Sequence, residues 1–114
     1  KDEKIYFLSR QKNFIVSGGE NISLVSIKNI INTCSGVLDC VVIGMKDKDW
    51  GMVPAAVFES LNSEVTIKEV SDFCKKNLPS HMMPKYFISM DKIPYKSNKI
   101  DYFLIQYYVN QSVL

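Results

Sequence analysis

Histidine is almost missing from this chain. His81 stands alone among 114 residues, which excludes any site built on paired histidines. Cysteine is scarce too: Cys34, Cys40 and Cys74 form an odd set with no CxxC spacing, so a disulfide scaffold is excluded and reduced, buried thiols are expected. No apolar run approaches the roughly 20 residues that a membrane span needs. No charge sign dominates, since 14 basic against 12 acidic residues leave +2, a bias too slight to argue for nucleic acid, whose dedicated binders usually show a clustered basic face. GxSxG, GxxxxGK[ST] and GxGxxG are all absent, which excludes a self-contained hydrolase, P-loop enzyme or dinucleotide-binding dehydrogenase of the usual kinds. Position 1 is Lys rather than Met, and "KDEKIYFLSR" has no apolar leader, so the chain is expected to be cut from a longer, cytoplasmic protein.

What remains is ordinary for one globular domain: 46% hydrophobic and 23% charged residues. "KIYFLS" and "NFIVS" read as two short strands about the polar "RQKN", a hairpin or a bend. "SGGEN" follows, with two glycines free to take positive φ. Ile27, Ile30, Ile31 and Cys34 recur at helical spacing; Ser23 is placed to cap that helix and Gly36 to end it. "VLDCVVIGM" predicts a buried strand and "KDKDWG" a polar turn. "VPAAVFES" predicts a further strand, with Pro54 at a sheet edge or at the strand's start. Thr66 and Glu69 form a capping box ahead of Val70, Phe73, Cys74 and Leu78. "LPSHMMPKY" predicts a loop, "YFISM" a strand, "DKIPYKSNK" a polar loop, and "IDYFLIQYYVN" a terminal helix. The fold class expected is α+β: a small mixed three-stranded sheet with flanking helices, preceded by a short N-terminal β-hairpin.

A few residues are candidates for chemistry. Gly18 and Gly19 suit a tight turn, and equally a wall without side chains along which a thin ligand such as a pantetheine arm can lie. Lys99 follows the turn-forming pair Ser97–Asn98, and Asn tolerates the left-handed conformation. A loop of that kind can aim an ammonium at developing negative charge on phosphate or carboxylate oxygens. Lys12 lies in a polar break between two strand-like runs, a place for a solvated turn or for a hinge. Trp50, the only tryptophan, is either a buried anchor or a stacking platform.

The order of these motifs carries more than any one of them. "SRQKNFIVSGGENIS", then "VVIGMKDKDWG", then "LPSHMMPKY", then "IPYKSNKI" is similar to the C-terminal domain of the adenylate-forming superfamily, from about Lys4 to the end of the chain. That superfamily includes acyl- and aryl-CoA synthetases, peptide-synthetase adenylation domains and beetle luciferases. The "GGEN" form resembles the acyl- and aryl-CoA synthetases more than the peptide-synthetase domains. The resemblance implies a two-step reaction: a carboxylate attacks ATP to give an acyl-adenylate and pyrophosphate, then the thiol of coenzyme A displaces AMP. It implies that residues 1–11 are the tail of a large N-terminal adenylation domain and residues 12–114 a mobile lid that turns between the steps. That large domain would be the lid's main partner and would hold ATP, Mg and the carboxylic acid; neither nucleic acid nor membrane is expected.

Carried over residue by residue, the resemblance makes Lys99 the catalytic lysine of adenylation and Lys12 the hinge. Arg10 becomes the arginine that points toward the nucleotide. Gly18 and Gly19 become the edge of the pantetheine tunnel, and Trp50 lies in a loop that approaches coenzyme A. No metal ligand is assigned. The chain departs from the family pattern at Ser9, Asn13, Leu24, Ser26 and Met52, and at Asn98, which stands where a glycine is usual. Two other readings therefore stay open: a degenerate interaction or regulatory domain of the same fold, and an adenylation domain that loads a carrier protein.

Overall fold

The computed structural model describes residues 13–61 and 65–113. Strand β1 (Phe14–Ser17) turns at Gly18–Gly19 into β2 (Glu20–Ser23), which runs straight into helix α1 (Leu24–Ile31). The long antiparallel pair β3 (Val37–Asp47) and β4 (Gly51–Ser60) follows, then helix α2 (Ile67–Asn77), a 3-10 turn at Ser80–Met82, and strand β5 (Tyr86–Met90). A small hairpin, β6 (Tyr95–Lys96) and β7 (Lys99–Ile100), leads into helix α3 (Tyr102–Val113). No helix among the described residues is long and apolar enough to cross a membrane.

The fold is α+β, as expected. Its centre is the mixed trio β3–β4–β5: β4 pairs antiparallel with β3 along its length and parallel with β5 from Ala55↔Tyr86 to Glu59↔Met90. A parallel neighbour needs a crossover, and α2 supplies it. The hairpin β1–β2 joins β4 through one bridge, Ser17↔Gly51.

The alternation of side chains on β3 and β4 explains why their sequences read as unbroken apolar runs. Cys40, Val42, Ala56 and Phe58 face one layer, with Ile27 and Ile31 of α1 and Val70 and Cys74 of α2. Val41, Ile43, Met45, Val53, Ala55 and Val57 face the other, with Ile88 of β5 and Ile105 and Val109 of α3. Covered on both faces, the stretches Cys40–Met45 and Val53–Phe58 carry no polar side chain. Burying a side chain the size of Phe58 or Ile27 contributes about 1.5–3 kcal/mol. The three thiols are free and buried among these residues. Burial pushes Cys40 up to about 12 and Cys74 up to about 11.

The expected N-caps are present, whereas α1 ends at Ile31 with Asn32 as its C-cap, before Cys34 and short of Gly36. Ser23 Oγ accepts the Ser26 N–H at 3.1 Å. Thr66 Oγ1 accepts the Glu69 N–H at 3.1 Å, while Glu69 Oε1 accepts the Thr66 N–H at 2.8 Å. Three further expectations need correction. "NFIVS" pairs with "ENIS" across the two glycines, and the proposed partner "KIYFLS" lies outside the described residues. "DKIPYKSNK" is not a plain loop, because it contains the β6–β7 hairpin. Pro54 stands neither at an edge nor at a strand start, but four residues into the central strand. Its carbonyl accepts the Lys85 N–H at 2.9 Å, so its nitrogen points to the same side of β4. There it meets the gap between the β1 bridge at Gly51 and the start of β5 at Ala55. The N–H that proline lacks has no partner to lose.

Candidate functional site

Two of the sequence-derived features meet at one end of the β3–β4 pair. Gly18 and Gly19 take φ of +55° and +86°, the combination that a two-residue type I′ hairpin turn requires. The Gly18 N–H donates to the Trp50 carbonyl at 2.8 Å, and the Trp50 ring lies against Gly18. A Cβ at Gly18 would press into Cε3 and Cζ3 of that ring, whereas one at Gly19 would meet open space. Trp50 itself is 58% exposed, so it is no core anchor. Together the exposed glycine turn and the indole make a smooth ledge with one aromatic wall.

The ledge is held from behind by residues that sequence reasoning missed. Asp47 Oδ2 accepts the N–H groups of Asp49 and Trp50, each at 3.1 Å, and so shapes the turn that carries the indole. Asp47 Oδ1 accepts from Lys85 Nζ at 2.6 Å. The Lys85 hydrogen bond holds the Asp47 carboxyl below its ordinary range, helped by the two backbone N–H groups. The same bond raises Lys85. "KDKDWG" signals a turn, but nothing in the sequence ties it to a lysine 38 residues away. On the same side of the fold, His81 Nε2 lies 3.7 Å from Glu20 Oε1, drawing the "LPSHMMPKY" segment onto β2.

Lys99 sits elsewhere. It begins β7 and is exposed, directly across the hairpin from Lys96. Ser97 and Asn98 form the turn between them with φ of +52° and +68°. Asn98 thus holds the left-handed conformation for which a glycine would otherwise be chosen. Directly opposed strand residues project to the same face, so two ammonium groups share one tip. Neither is ion-paired among the described residues. The hairpin is anchored to the sheet: Tyr95 Oη donates to Asp39 Oδ2 at 2.8 Å, and the Ile93 N–H donates to Glu59 Oε1 at 2.9 Å. The Asp39 carboxylate, as acceptor, raises the Tyr95 phenol.

Asp39 and Asp47 lie toward opposite ends of β3, roughly 26 Å apart at about 3.3 Å per residue. The cationic tip and the glycine–indole ledge are therefore separate sites at the two ends of one rigid strand pair. Arg10 and Lys12 lie outside the described residues. Among the described residues, no three His, Cys, Asp or Glu side chains gather as a metal site.

Residues 26–99 match the family model described as AMP-binding enzyme C-terminal domain. The 2-succinylbenzoate–CoA ligase of Bacillus licheniformis is 38% identical over 100 residues, covering 87% of this chain and 21% of the ligase. The solved structure of a double mutant of o-succinylbenzoate CoA synthetase from Bacillus subtilis, bound to a product analogue, is 35% identical with a TM-score of 0.71. It covers 83% of this chain and 20% of that one. The fatty acyl CoA synthetase of Mycobacterium tuberculosis is 29% identical with a TM-score of 0.78, covering 88% of this chain and 20% of that one. The chain spans about a fifth of the length of each of these relatives. It belongs to the AMP-binding enzyme C-terminal domain family.

Proposed function

We propose that this chain is the lid domain of an ATP-dependent acyl- or aryl-CoA synthetase, working with a large domain that binds ATP, Mg and the carboxylic acid. In the first half-reaction a carboxylate oxygen attacks the α-phosphorus of ATP and pyrophosphate leaves. Lys99 would offset charge on the carboxylate and phosphate oxygens, with Lys96 adding to the local positive potential. In the second half-reaction the thiol of coenzyme A attacks the acyl carbon and AMP leaves. The Gly18–Gly19 turn would then border the pantetheine arm, and Trp50 would wall it. Arg10 would point toward the nucleotide, and Lys12 would be the pivot between the two orientations.

One observation carries this reading: the lysine tip and the glycine–indole ledge stand at opposite ends of the same strand pair. A single surface cannot bring both to one reaction centre at once, whereas a body that turns between steps can. The left-handed Asn98 favours a competent lysine tip over a degenerate domain, because the turn survives without its glycine. The relatives' names make 2-succinylbenzoate the first acid to try and free coenzyme A the first acceptor.

The test is to separate the half-reactions in the full-length protein. Lys99→Ala should slow acid-dependent pyrophosphate release about a hundredfold, since a contact of this kind contributes about 3 kcal/mol to the transition state. Thioester formation from supplied acyl-adenylate should be spared. Equal loss in both half-reactions would refute the two-face assignment.

A further inference from the structure

Helix α3 is apolar on two opposite sides, and only one is used by the fold. Ile105 and Val109 are fully buried against the sheet. Away from them, Phe103 is 80% exposed, Tyr107 58%, Tyr108 46% and Leu104 39%. These four residues form one continuous stripe, and Tyr107 and Tyr108 meet edge to face at 6.0 Å between centroids. Taking about 200 Å² for a fully exposed side chain of this size, the stripe offers roughly 450 Å². That is about the size of the largest apolar patch on a typical monomer, and such patches are often functional.

The helix is also rigidly coupled to the lysine tip. The Asp101 N–H donates to the Pro94 carbonyl at 2.9 Å, and Asp101 Oδ1 accepts the Leu104 N–H at 3.1 Å. Asp101 thus caps α3 and ties its first turn to the loop that enters the β6–β7 hairpin. Phe103 lies four positions after Lys99, in the first turn of that tethered helix.

We propose that the Phe103–Leu104–Tyr107–Tyr108 stripe is the surface by which this domain docks on the large domain during adenylation; this rests on the lid reading given above. Size selects the occupant. With its counterpart the stripe would bury roughly 900 Å² in total, within the range of contacts between domains of one chain. It falls well short of the roughly 800 Å² per partner that holds two separate proteins together. A covalent link makes a small contact sufficient, because it supplies an effective concentration near the millimolar range. A contact that must open at every turnover has to be small. The twelve residues of α3 carry no Lys or Arg, so the helix lacks the cations with which an interfacial helix holds an anionic bilayer.

The test uses the full-length protein with Phe103→Ser and Tyr107→Ser combined. Both side chains are exposed, so the melting temperature should hold. Pyrophosphate release should fall about tenfold or more, while thioester formation from supplied acyl-adenylate stays within about twofold of the parent. Unchanged pyrophosphate release, or an equal fall in both half-reactions, would overturn the proposal. So would a concentration-dependent dimer in sedimentation that this substitution abolishes, or binding to vesicles of phosphatidylglycerol that it abolishes. An independent measurement is maleimide labelling of Phe103→Cys. Labelling should slow about fivefold or more when ATP and acid are bound; a constant rate would count against docking. If Lys99→Ala leaves adenylation intact, the lid reading itself fails, whatever the stripe does.

Discussion

The contact between Gly18 and Trp50 can be tested by its thermodynamic coupling. Alanine at Gly18 meets two penalties. Its φ of +55° places a Cβ in the left-handed region, which costs roughly 1–2 kcal/mol. That Cβ also points into the Trp50 ring and forces the indole aside. Alanine at Gly19 meets only the first kind, since its Cβ would point into open space. A double-mutant cycle separates the two. With Trp50→Ala as the second substitution, Gly18→Ala should become cheaper by about 1 kcal/mol or more, a coupling typical of residues in contact. Gly19→Ala should cost the same with or without the indole. The measurement is urea unfolding of the 114-residue chain followed by far-ultraviolet circular dichroism, a signal that does not depend on the substituted tryptophan. Equal coupling for both glycines, or none for Gly18, would refute the claim that Trp50 packs on the turn.

Asp47→Ala should release the Trp50 turn and remove a pH-dependent contribution to stability. Because the folded chain lowers Asp47 below its ordinary 3.8, that contribution should be fully present above about pH 4 and fade as pH falls through the lowered value. Lys85 is raised above its ordinary 10.5, so its part should persist below that pH and vanish as pH climbs through the raised value. The gap between parent and variant urea midpoints should therefore close toward the acid extreme and only narrow at the alkaline one, where Asp47 still accepts from the Asp49 and Trp50 N–H groups. Thr66→Ala removes one half of the capping box and should cost about 1 kcal/mol, read as a fall in Tm of roughly 4–8 °C. The buried thiols, with Cys40 near 12 and Cys74 near 11, should resist a disulfide reagent at pH 8 in the native chain and react promptly in urea.

Much of the architecture is legible in the sequence because it depends on local periodicity. The spacing of Ile27, Ile30 and Ile31 marks α1, the Thr66–Glu69 pair marks the start of α2, and the β-branched runs mark β3 and β4. Strand partners are less legible, since pairing is a contact between distant segments. "NFIVS" has apolar runs on both sides, and only the Gly-Gly turn geometry selects β2. The place of Pro54 is illegible for the same reason: a proline is excluded from a central strand only if a neighbour needs its N–H, and no local pattern reveals where a neighbour begins. The candidate site divides likewise. Gly18, Gly19, Trp50 and Lys99 stand out by motif, whereas Asp47 and Lys85 meet across 38 residues and Lys96 joins Lys99 only through a hairpin that the polar run does not announce. The α3 stripe was hidden inside an apolar run, because periodicity marks a helix without saying which of two greasy sides the fold will cover.

Pro54 also works as a partition. On one side of it the β1–β2 hairpin ends at Gly51, and on the other β5 begins at Ala55, so two tenants share a single margin of β4. Neither can creep along that margin by a residue without setting a carbonyl against a nitrogen that has nothing to offer. A ring of five atoms thus keeps the ledge and the crossover strand in their own berths, which lets the hairpin hang from one bridge and still hold its place.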